Sequence, residues 1–347
     1  MMHYGLALIG FGGVNRGLVE VLLLKKQILK QQLDIELSIV SISDIYLGYA
    51  HDEGGLDLEA LMSLPSEKGA LSSLTNGTVE ADNNSAICAK SADIIVEATY
   101  TNPNDGEPAV SHCRTAISHN KHIVTTNKGP VALFGNELRD LAKDQNTCFE
   151  FEGTVMSGTP VLGFVTKNLQ GCTINGFRGI LNGTANYVLQ QVEGGKSIDD
   201  AIKIAQELGY AEADPTADIE GFDVMLKVVI LANQLLGANL KTTDIIREGI
   251  VNISEEKIRA AKEDGKHWKL IGQASINEDG SISASVSPQC LPVEDTLSSV
   301  SGPINAIAFD TDLMGTVMVS GAGAGRIETA YALLADILNI HQTMKSK

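Results

Sequence analysis

The sequence predicts an α/β protein in which a doubly wound parallel sheet is followed by a second domain of α+β type. Short apolar runs, typical of buried parallel strands, alternate with helix-like segments over the first part of the chain. A glycine-rich segment follows the first apolar run, and the regular alternation stops near residue 150. At 347 residues the chain is long enough for two domains.

The strands predicted in the first domain are short and apolar, as expected for strands buried on both faces. They cover residues 4–9, 35–42 with Asp44 just beyond, 92–97 and 122–126. Helices are predicted at 18–24, 108–120 and 135–143. Residues 46–85 are rich in Gly, Ser, Asp and Glu, and we expect a surface excursion with one short helix near 56–62.

Beyond residue 150 the two kinds of segment mix without regular alternation, which indicates an α+β domain. Strand-like segments lie at 174–181, 282–286 and 316–319, and helix-like segments at 184–194, 198–208 and 222–236. A last helix at 328–340 follows a second glycine-rich stretch, 321–325, and is expected to pack back on the first domain.

The composition excludes several classes of protein. With 26 Lys and Arg against 43 Asp and Glu, the formal net charge is −17, so nucleic acid and anionic membrane surfaces are unfavourable partners. Apolar residues make up 44% of the chain, which excludes a disordered chain, and no run of about 18 apolar residues could span a bilayer. The five cysteines lack C-x-x-C spacing, which disfavours a disulfide framework or zinc site and favours a cytoplasmic location.

A glycine loop, Gly10-Phe-Gly-Gly-Val-Asn15, lies between the first predicted strand and helix. Backbone N–H groups at a helix N-terminus bind pyrophosphate, so the loop favours a Rossmann-type dinucleotide site; an ordinary tight turn is the alternative. Asp44 ends the second strand, where an acidic residue holds the adenosine ribose 2′-hydroxyl or is simply a polar strand end. Between Asp44 and Arg114 the only basic residues are Lys68 and Lys90, so a 2′-phosphate would have no obvious partner. This favours NAD over NADP.

Two charged residues interrupt an apolar helix of the second domain. In segment 222–232, Asp223 and Lys227 are the only charges, and their i, i+4 spacing should bring them together on one face. Burying such a pair adds little stability, because desolvation offsets the attraction. We interpret Lys227 as a proton donor or acceptor for a carbonyl or an alcohol; a structural ion pair is the alternative.

Three further segments offer candidate ligand-binding groups. Lys128 follows a strand at the edge where α/β sheets bind ligands, or is a surface lysine in a turn. The loop-like segment 152–160 has oxygen atoms that could hold a monovalent cation, or it forms a hinge. The turn 209–218 suits an amino group or is a solvated acidic turn. Its carboxylates are Glu212, Asp214 and Asp218.

Taken together, these segments resemble homoserine dehydrogenases from residue 4 to near residue 340. The resemblance is carried, in order, by segments 10–14, 125–130, 152–160, 178–184, 208–215, 221–227 and 321–325. That family interconverts L-aspartate 4-semialdehyde and L-homoserine with NADH or NADPH, on the route to threonine, methionine and isoleucine. The resemblance implies a homodimer, a dinucleotide-binding domain of residues 1–148 completed by 321–347, and a dimerisation and substrate-binding catalytic domain of residues 149–320.

The resemblance also implies roles for individual residues. Lys227 would be the general acid/base, oriented by Asp223, and Lys128 would bind substrate and help to move the proton beside the nicotinamide. The substrate amino group would be held by Glu212 and Asp218, near Tyr210, Gly183 and Thr184. The cofactor would contact Gly10, Phe11, Gly12, Gly13, Val14, Asn15, Asp44, Thr99, Tyr100, Lys128, Gly323 and Gly325. A monovalent cation, usually sodium, would be bound by Glu152, Ser157, Thr159 and the backbone oxygen of Val155.

Asn15 departs from the family pattern, which has Gly or Ala there. Two other functions compete with the leading one. One is a dehydrogenase of the same architecture that acts on another small aldehyde or 2-oxo acid. Glu212 and Asp218 discriminate here, because a site for an amino group needs them, whereas a purely anionic substrate would favour Arg or Lys in their place. A dinucleotide sensor without catalysis would be expected to lack Lys227 or Lys128. We expect neither a kinase portion nor a regulatory domain, and therefore no threonine feedback through an added domain.

Overall fold

The computed structural model describes residues 1–346 and divides the chain into two compact units. The first comprises residues 1–158 together with the C-terminal segment that begins at Gly325, and the second comprises Thr159–Ala324. The domain boundaries expected from the sequence lie at 148/149 and 320/321. The functions assigned to those domains stay predictions.

The first unit is built on a six-stranded sheet. Its strands are β1 (Met2–Ile9), β2 (Ile35–Asp44), β3 (Gly48–His51), β4 (Ile94–Glu97), β5 (His122–Thr125) and β6 (Phe149–Glu150). The helices interspersed with them are α1 (Gly13–Gln31), α2 (Leu58–Met62), α3 (Asn83–Cys88), α4 (Ala109–Ser118), α5 (Lys128–Asp144) and α6 (Gly153–Met156). A 3₁₀ turn at Ala70–Ser73 lies in the excursion.

The strand order of this sheet is β3-β2-β1-β4-β5-β6, and all neighbours except β2 and β3 run parallel. The strands are apolar because both faces are covered: Leu6, Leu8 and Ile9 of β1 are fully buried. The order reverses between β1 and β4, and open α/β sheets bind ligands at such a switch point, beyond the carboxyl ends of the strands. The predicted doubly wound parallel sheet is therefore confirmed, with one antiparallel edge strand.

Three details of the prediction for this unit were wrong. The excursion 46–85 contains strand β3 and helix α3 in addition to the predicted short helix. Helix α5 begins at Lys128 rather than at residue 135, because Gly129 and Pro130 occupy its first turn, where proline is tolerated. Segment 152–160 is not wholly a loop, since it contains α6.

The second unit carries another six-stranded sheet, with strands β7 (Ile174–Ile180), β8 (Ile246–Arg247), β9 (Lys266–Ile276), β10 (Ile282–Pro292), β11 (Ile304–Thr311) and β12 (Gly315–Ala322). Its helices are α7 (Gly183–Glu193), α8 (Ile198–Glu207), α9 (Thr216–Ile219), α10 (Phe222–Leu235) and α11 (Glu255–Glu263). The order is β12-β11-β7-β9-β10-β8, and only the β8–β10 pair is parallel. The predicted α+β character is confirmed.

Helix α10 packs directly on this sheet. A Cβ added at Gly272 of β9 would lie 2.7 Å from side-chain atoms of Val224 and Val228, so glycine permits the close approach. Strands β9 and β11 were missed by the sequence analysis. Lys266, His267 and Lys269 hide the apolar pattern of β9, and β11 is rich in alanine, which has a low β propensity.

The C-terminal helix α12 (Arg326–Lys345) belongs to the first unit, as expected. It packs on α1 at Gly17, where an added Cβ would lie 2.8 Å from the carbonyl oxygen of Arg326. Across residues 1–346, no helix is long and apolar enough to cross a membrane. The same residues contain five cysteines, none of them in a disulfide bond, and no group of three His, Cys, Asp or Glu side chains arranged for a metal ion.

Candidate active site

The glycine loop forms the N-terminus of α1 at the switch point of the first sheet. Gly10 has a φ of 81°, and a Cβ there would lie 2.9 Å from the carbonyl oxygen of Ala98, so only glycine fits without strain. A Cβ added at Gly12 or Gly13 would meet nothing within 4 Å. Gly12 also provides no side-chain cap for α1. The open space and the uncapped backbone N–H groups fit a pyrophosphate.

Asn15 and Phe11 support the glycine loop with buried side chains. The side chain of Asn15 is fully buried, and its Nδ2 donates a hydrogen bond of 2.6 Å to the carbonyl oxygen of Gly10. Phe11 is 1% exposed and packs in the core. Asn15 thus takes over a loop-bracing contact that glycine or alanine could not make. Because both side chains are buried, their predicted cofactor contacts would come from the backbone.

Asp44 joins the second strand to the glycine loop. Its Oδ2 accepts the N–H of Phe11 at 2.7 Å, and its Oδ1 accepts the N–H groups of Tyr46 and Leu47 at 2.9 and 3.0 Å. Arg16 lies nearby on α1, stacked on the ring of Phe11 with its guanidinium 4.9 Å from the ring centroid. It donates to the carbonyl oxygens of Leu64 and Pro65 at 2.8 and 3.3 Å. The sequence analysis did not single out Arg16, the cation nearest in sequence to the loop.

Residues Thr99, Tyr100 and Lys128 lie at the carboxyl ends of β4 and β5, beside the switch point. Asn127 links them: its Nδ2 donates to the carbonyl oxygens of Thr99 and Tyr100 at 3.2 and 3.0 Å. Its Oδ1 accepts the N–H of Gly129 at 3.0 Å and so caps α5. Lys128 is the first residue of α5 and half-buried. A cation at the positive end of a helix does not stabilise it, so its position favours a role in binding.

In the second unit, Lys227 and Asp223 meet on α10, as their spacing predicts. Lys227 is 6% exposed, and its Nζ lies 2.8 Å from Asp223 Oδ2. The same Nζ donates to the carbonyl oxygen of Leu181 at 2.7 Å. Asn305 Nδ2 donates to that oxygen as well, at 2.9 Å. The ammonium group is therefore fixed at the end of β7 rather than mobile on a surface.

Asn182 connects this ion pair to the acidic turn and was not singled out from the sequence. Its Nδ2 donates to Asp218 Oδ1 at 2.6 Å and to Asp223 Oδ2 at 3.0 Å, while its Oδ1 caps α7 through the N–H of Ala185 at 2.8 Å. A donor between two carboxylates offsets their repulsion. The available signal was its position: an asparagine two residues before the predicted helix 184–194 and inside segment 178–184.

The other predicted substrate residues lie around α7 and α9. Thr184 Oγ1 donates to the carbonyl oxygen of Tyr210 at 2.6 Å, and Tyr210 packs edge-on against Tyr187 with ring centroids 5.2 Å apart. A Cβ at Gly183 would lie 2.5 Å from the carbonyl oxygen of Pro303, so this position requires glycine. Asp218 is half-buried and Glu212 is exposed. The structure brings Asp218 to the Asn182–Asp223 group but leaves the Glu212 side chain on the surface of the turn.

The four candidate cation ligands fall in both units. Glu152, Val155 and Ser157 flank or form α6 in the first unit, whereas Thr159 is the first residue of the second. Val155 is fully buried, and Ser157 has a φ of 53°. The Oγ of Ser157 is 2.8 Å from Thr329 Oγ1.

The second glycine loop is explained in part by packing. A Cβ at Gly323 would lie 2.1 Å from Asn305 Nδ2. Gly325, with a φ of 136°, precedes α12. Packing therefore requires glycine at 323, and the backbone conformation before α12 requires glycine at 325. Both reasons hold whether or not these residues also contact a cofactor.

Two family models together match almost the whole chain. Residues 10–152 match the NAD-binding domain of homoserine dehydrogenase, and residues 160–338 match the homoserine dehydrogenase model itself. The chain belongs to the homoserine dehydrogenase family. It is accordingly an NAD(P)-dependent oxidoreductase that acts on a CH–OH group.

Two relatives in this family match over nearly their full length. An NAD(+)-dependent homoserine dehydrogenase of Pseudomonas canavaninivorans is 53% identical over 347 residues, covering 100% of this chain and 99% of that protein. A homoserine dehydrogenase of Methanocaldococcus jannaschii is 39% identical, covering 97% of this chain and 98% of its own.

Solved structures of the family resemble this one closely. A putative homoserine dehydrogenase from Archaeoglobus fulgidus has a TM-score of 0.85 at 32% identity, covering 97% of this chain and 99% of its own. A hyperthermophilic archaeal homoserine dehydrogenase mutant in complex with NADPH has a TM-score of 0.84 at 30% identity, covering 99% and 98%. The family assignment made from sequence motifs is therefore confirmed.

Proposed function

We propose that the chain interconverts L-homoserine and L-aspartate 4-semialdehyde with Lys227 as the proton-transfer group. The observation that carries this proposal is the buried Lys227 ammonium, held at 2.8 Å by Asp223 and at 2.7 Å by the Leu181 carbonyl oxygen. A nicotinamide cofactor supplies the chemistry of hydride transfer. The protein has to hold the alcohol, take up its proton and return that proton in the reverse direction.

Lys227, Asp223 and Lys128 have different proposed roles in this reaction. In reduction, the Lys227 ammonium donates a proton to the alkoxide oxygen and becomes the neutral amine. In oxidation, the neutral amine form of Lys227 takes up the proton of the substrate hydroxyl as the carbonyl forms and becomes the ammonium. Asp223 positions Nζ through the ion pair. Lys128, at the first turn of α5, helps to bind the substrate and to move the proton onward.

The substrate amino group is proposed to bind the acidic turn. Glu212 and Asp218 would pair with the ammonium, and Tyr210, Gly183 and Thr184 would shape the pocket around it. The Asn182 bridge supports this, because it draws the Asp218 carboxylate to within hydrogen-bond reach of the group that holds Asp223. An ammonium substrate suits such a cluster, whereas a purely anionic substrate would be repelled.

The cofactor is proposed to bind the first unit, with a preference for NAD over NADP. The pyrophosphate would contact the backbone at Gly10, Phe11, Gly12, Gly13, Val14 and Asn15. The adenosine ribose would contact Asp44, whose carboxylate repels a 2′-phosphate. Arg16, which could offset that repulsion, already donates to two carbonyl oxygens. Thr99, Tyr100 and Lys128 would contact the nicotinamide side, and Gly323 and Gly325 would contribute from the second glycine loop.

A monovalent cation, sodium, is proposed to bind Glu152, the backbone oxygen of Val155, Ser157 and Thr159. The buried carboxylate of Glu152 and the buried backbone of Val155 supply the oxygen ligands that hard cations prefer.

We propose a homodimer in the cytoplasm. Gly272 on β9 faces α10, so its neighbour Gln273 points to the opposite face of the sheet. That face carries a groove of ≈ 730 Å³ lined by Gln273, Ser285, Asp310 and other strand residues. A second copy would cover it. The five cysteines form no disulfide bond among the described residues, which favours a reducing compartment. Sedimentation of the purified chain tests the dimer.

The deciding experiment follows absorbance of the reduced cofactor with L-homoserine and either NAD or NADP, with and without sodium or potassium. Reduction with homoserine, and none with L-serine or 2-hydroxy acids, is expected. A preference for a 2-hydroxy acid would replace the substrate assignment. Absence of turnover by folded protein with both cofactors would favour a dinucleotide sensor.

A further inference from the structure

A chain of hydrogen-bonded, mostly buried side chains connects four elements of the first unit. It begins at Ser43 of β2, passes through Asn83 of α3 and His112 of α4, and ends at Glu97 of β4. The successive distances are 2.6 Å from Ser43 Oγ to Asn83 Oδ1, 2.9 Å from Asn83 Nδ2 to His112 Nε2, and 3.4 Å from His112 Nδ1 to Glu97 Oε1. Ser43 and Glu97 are fully buried, and His112 is 7% exposed. The sequence analysis singled out none of them.

The direction of each hydrogen bond in this chain follows from one backbone donor. The N–H of Asp82 donates to Ser43 Oγ at 3.0 Å, so the Ser43 hydroxyl donates to Asn83 Oδ1. The Asn83 amide group then donates to His112 Nε2, which must be the accepting nitrogen. His112 therefore carries its proton on Nδ1 and donates it to Glu97. The chain ends on a carboxylate that only accepts.

Glu97 uses this carboxylate to hold the segment that follows β4. Its Oε1 accepts the N–H of Thr99 at 3.2 Å and also the Thr99 hydroxyl. Thr125 Oγ1 lies 2.9 Å from the main-chain oxygen of Glu97 and 3.3 Å from its Oε2, and it accepts the N–H of Asn127 at 3.0 Å. Asn127 in turn holds the carbonyl oxygens of Thr99 and Tyr100. The loop at residues 99–100 is thus held by hydrogen bonds to Glu97 and from Asn127.

Packing alone does not explain an acid at this position. Burying a carboxylate carries a large desolvation penalty, so an apolar residue would serve a purely structural role better. Glu97 also ends β4 at the switch point beside β1, where α/β sheets bind ligands. Its hydrogen bonds go to the loop on the nicotinamide side, whereas Asp44 and the N-terminus of α1 serve the adenosine and pyrophosphate side.

We propose that Glu97, oriented by His112, is a positioning residue that holds Thr99 and Tyr100 in place for the nicotinamide half of the dinucleotide. This inference rests on the proposed function, which assigns Thr99 and Tyr100 to the nicotinamide side. It predicts that loss of Glu97 weakens contacts to that half alone. The adenosine and pyrophosphate contacts should be unaffected.

The test compares the binding of NADH with that of ADP-ribose, which lacks the nicotinamide, by titration calorimetry. In Glu97→Ala we expect the Kd of NADH to rise about 10-fold, the effect of losing a charged hydrogen-bond acceptor, while the Kd of ADP-ribose changes less than about 2-fold. Glu97→Gln keeps an acceptor for the Thr99 N–H and should restore most of the NADH affinity. Asp93→Asn is the matched control for Glu97→Gln, since Asp93 lies just before the other end of the same strand and accepts the N–H of Gly5 at 2.8 Å.

Equal losses for NADH and ADP-ribose would overturn the proposal, because they indicate a general loss of structure; so would an unchanged NADH affinity. If Glu97→Ala does not fold, His112→Ala decides, with an expected rise of about 3-fold in the Kd of NADH alone. Neither titration needs homoserine. A wild-type protein without homoserine activity would therefore contradict the proposed function and leave this comparison interpretable.

Discussion

Asp223 Oδ2 accepts from two donors at once, Lys227 Nζ at 2.8 Å and Asn182 Nδ2 at 3.0 Å. One donor comes from the same helix turn and the other from the N-cap of α7. The carboxylate therefore ties the proposed catalytic lysine to the acidic turn that we assign to the substrate amino group. An i, i+4 ion pair on a helix surface contributes only about 0.3–0.5 kcal/mol to stability. The contact between Asp223 and Lys227 is therefore better explained by the positioning of Lys227 than by stabilisation of α10.

Replacing Lys227 by alanine should lower turnover about 100-fold or more, the lower range of general acid–base contributions. Binding of NADH should survive, because all the proposed cofactor residues except Gly323 lie in the other unit. Steady-state kinetics and NADH titration measure the two effects. Lys269→Met is the matched control: it removes another buried lysine of the second unit, 4% exposed, that has no proposed role in catalysis. Near wild-type turnover in Lys227→Ala would reject the acid–base role.

Replacing Asn182 by serine should separate its two roles. Serine keeps an oxygen to cap α7, so the melting temperature should change little. It lacks the amide donor that bridges Asp218 and Asp223, and kcat should fall about 10-fold as Asp223 loses that hydrogen bond. Asn182→Ala removes both contacts and should lose stability as well as activity. A serine variant with unchanged kcat would show that the bridge does not position Lys227.

Replacing Asp44 by alanine should weaken NADH more than NADPH. The ribose of NADH loses a hydrogen-bond acceptor, whereas NADPH also loses a repulsive charge beside its 2′-phosphate. Asp44 also holds the N–H of Phe11, so part of the loss should be common to both cofactors. Asp44→Asn retains an acceptor for these backbone groups and should show the change in preference with less general loss. Equal losses of kcat/KM for the two cofactors in both variants would mean that Asp44 does not contact the ribose.

The sequence predicted the parts of this protein that local pattern determines. The apolar run of β1, the glycines before α1 and the i, i+4 charges of α10 each carry their signal within a few residues. Strand β9 was missed because its polar residues hide the alternation. Lys269, for example, is buried there only because Asn186 Oδ1 and the Val300 carbonyl oxygen accept from it at 3.0 and 2.5 Å. The alternation of apolar and polar residues in a sequence cannot indicate such a tertiary contact.

The same limit applies to the candidate site. The Asp223–Lys227 contact follows from spacing, but the hydrogen bonds of Asn182 reach 36 and 41 residues along the chain. The chain from Ser43 to Glu97 joins four elements that are separate in sequence. Chemistry that depends on one element can be predicted from residue order, and chemistry that depends on several elements becomes visible only when they are folded together.

Lys269 predicts a pH dependence of stability. Burial lowers its pKa from the ordinary value of 10.5, and the carboxylate of Glu193 only partly opposes this. Between the lowered pKa and 10.5, the unfolded chain binds more protons at this site than the folded chain does, so its contribution to the free energy of unfolding rises with pH. Below the lowered pKa both states are charged, and the desolvation cost is present in full.

Lys269→Met removes this titration. The free energy of unfolding of wild type minus that of the variant, measured in urea at a series of alkaline pH values, should therefore increase as pH approaches 10.5. It should be constant at pH values well below the lowered pKa. A difference that stays flat across the alkaline range, or that falls, would show that folding does not lower the pKa of Lys269. The buried ammonium would then be stabilised fully by its contacts to Asn186 and Val300.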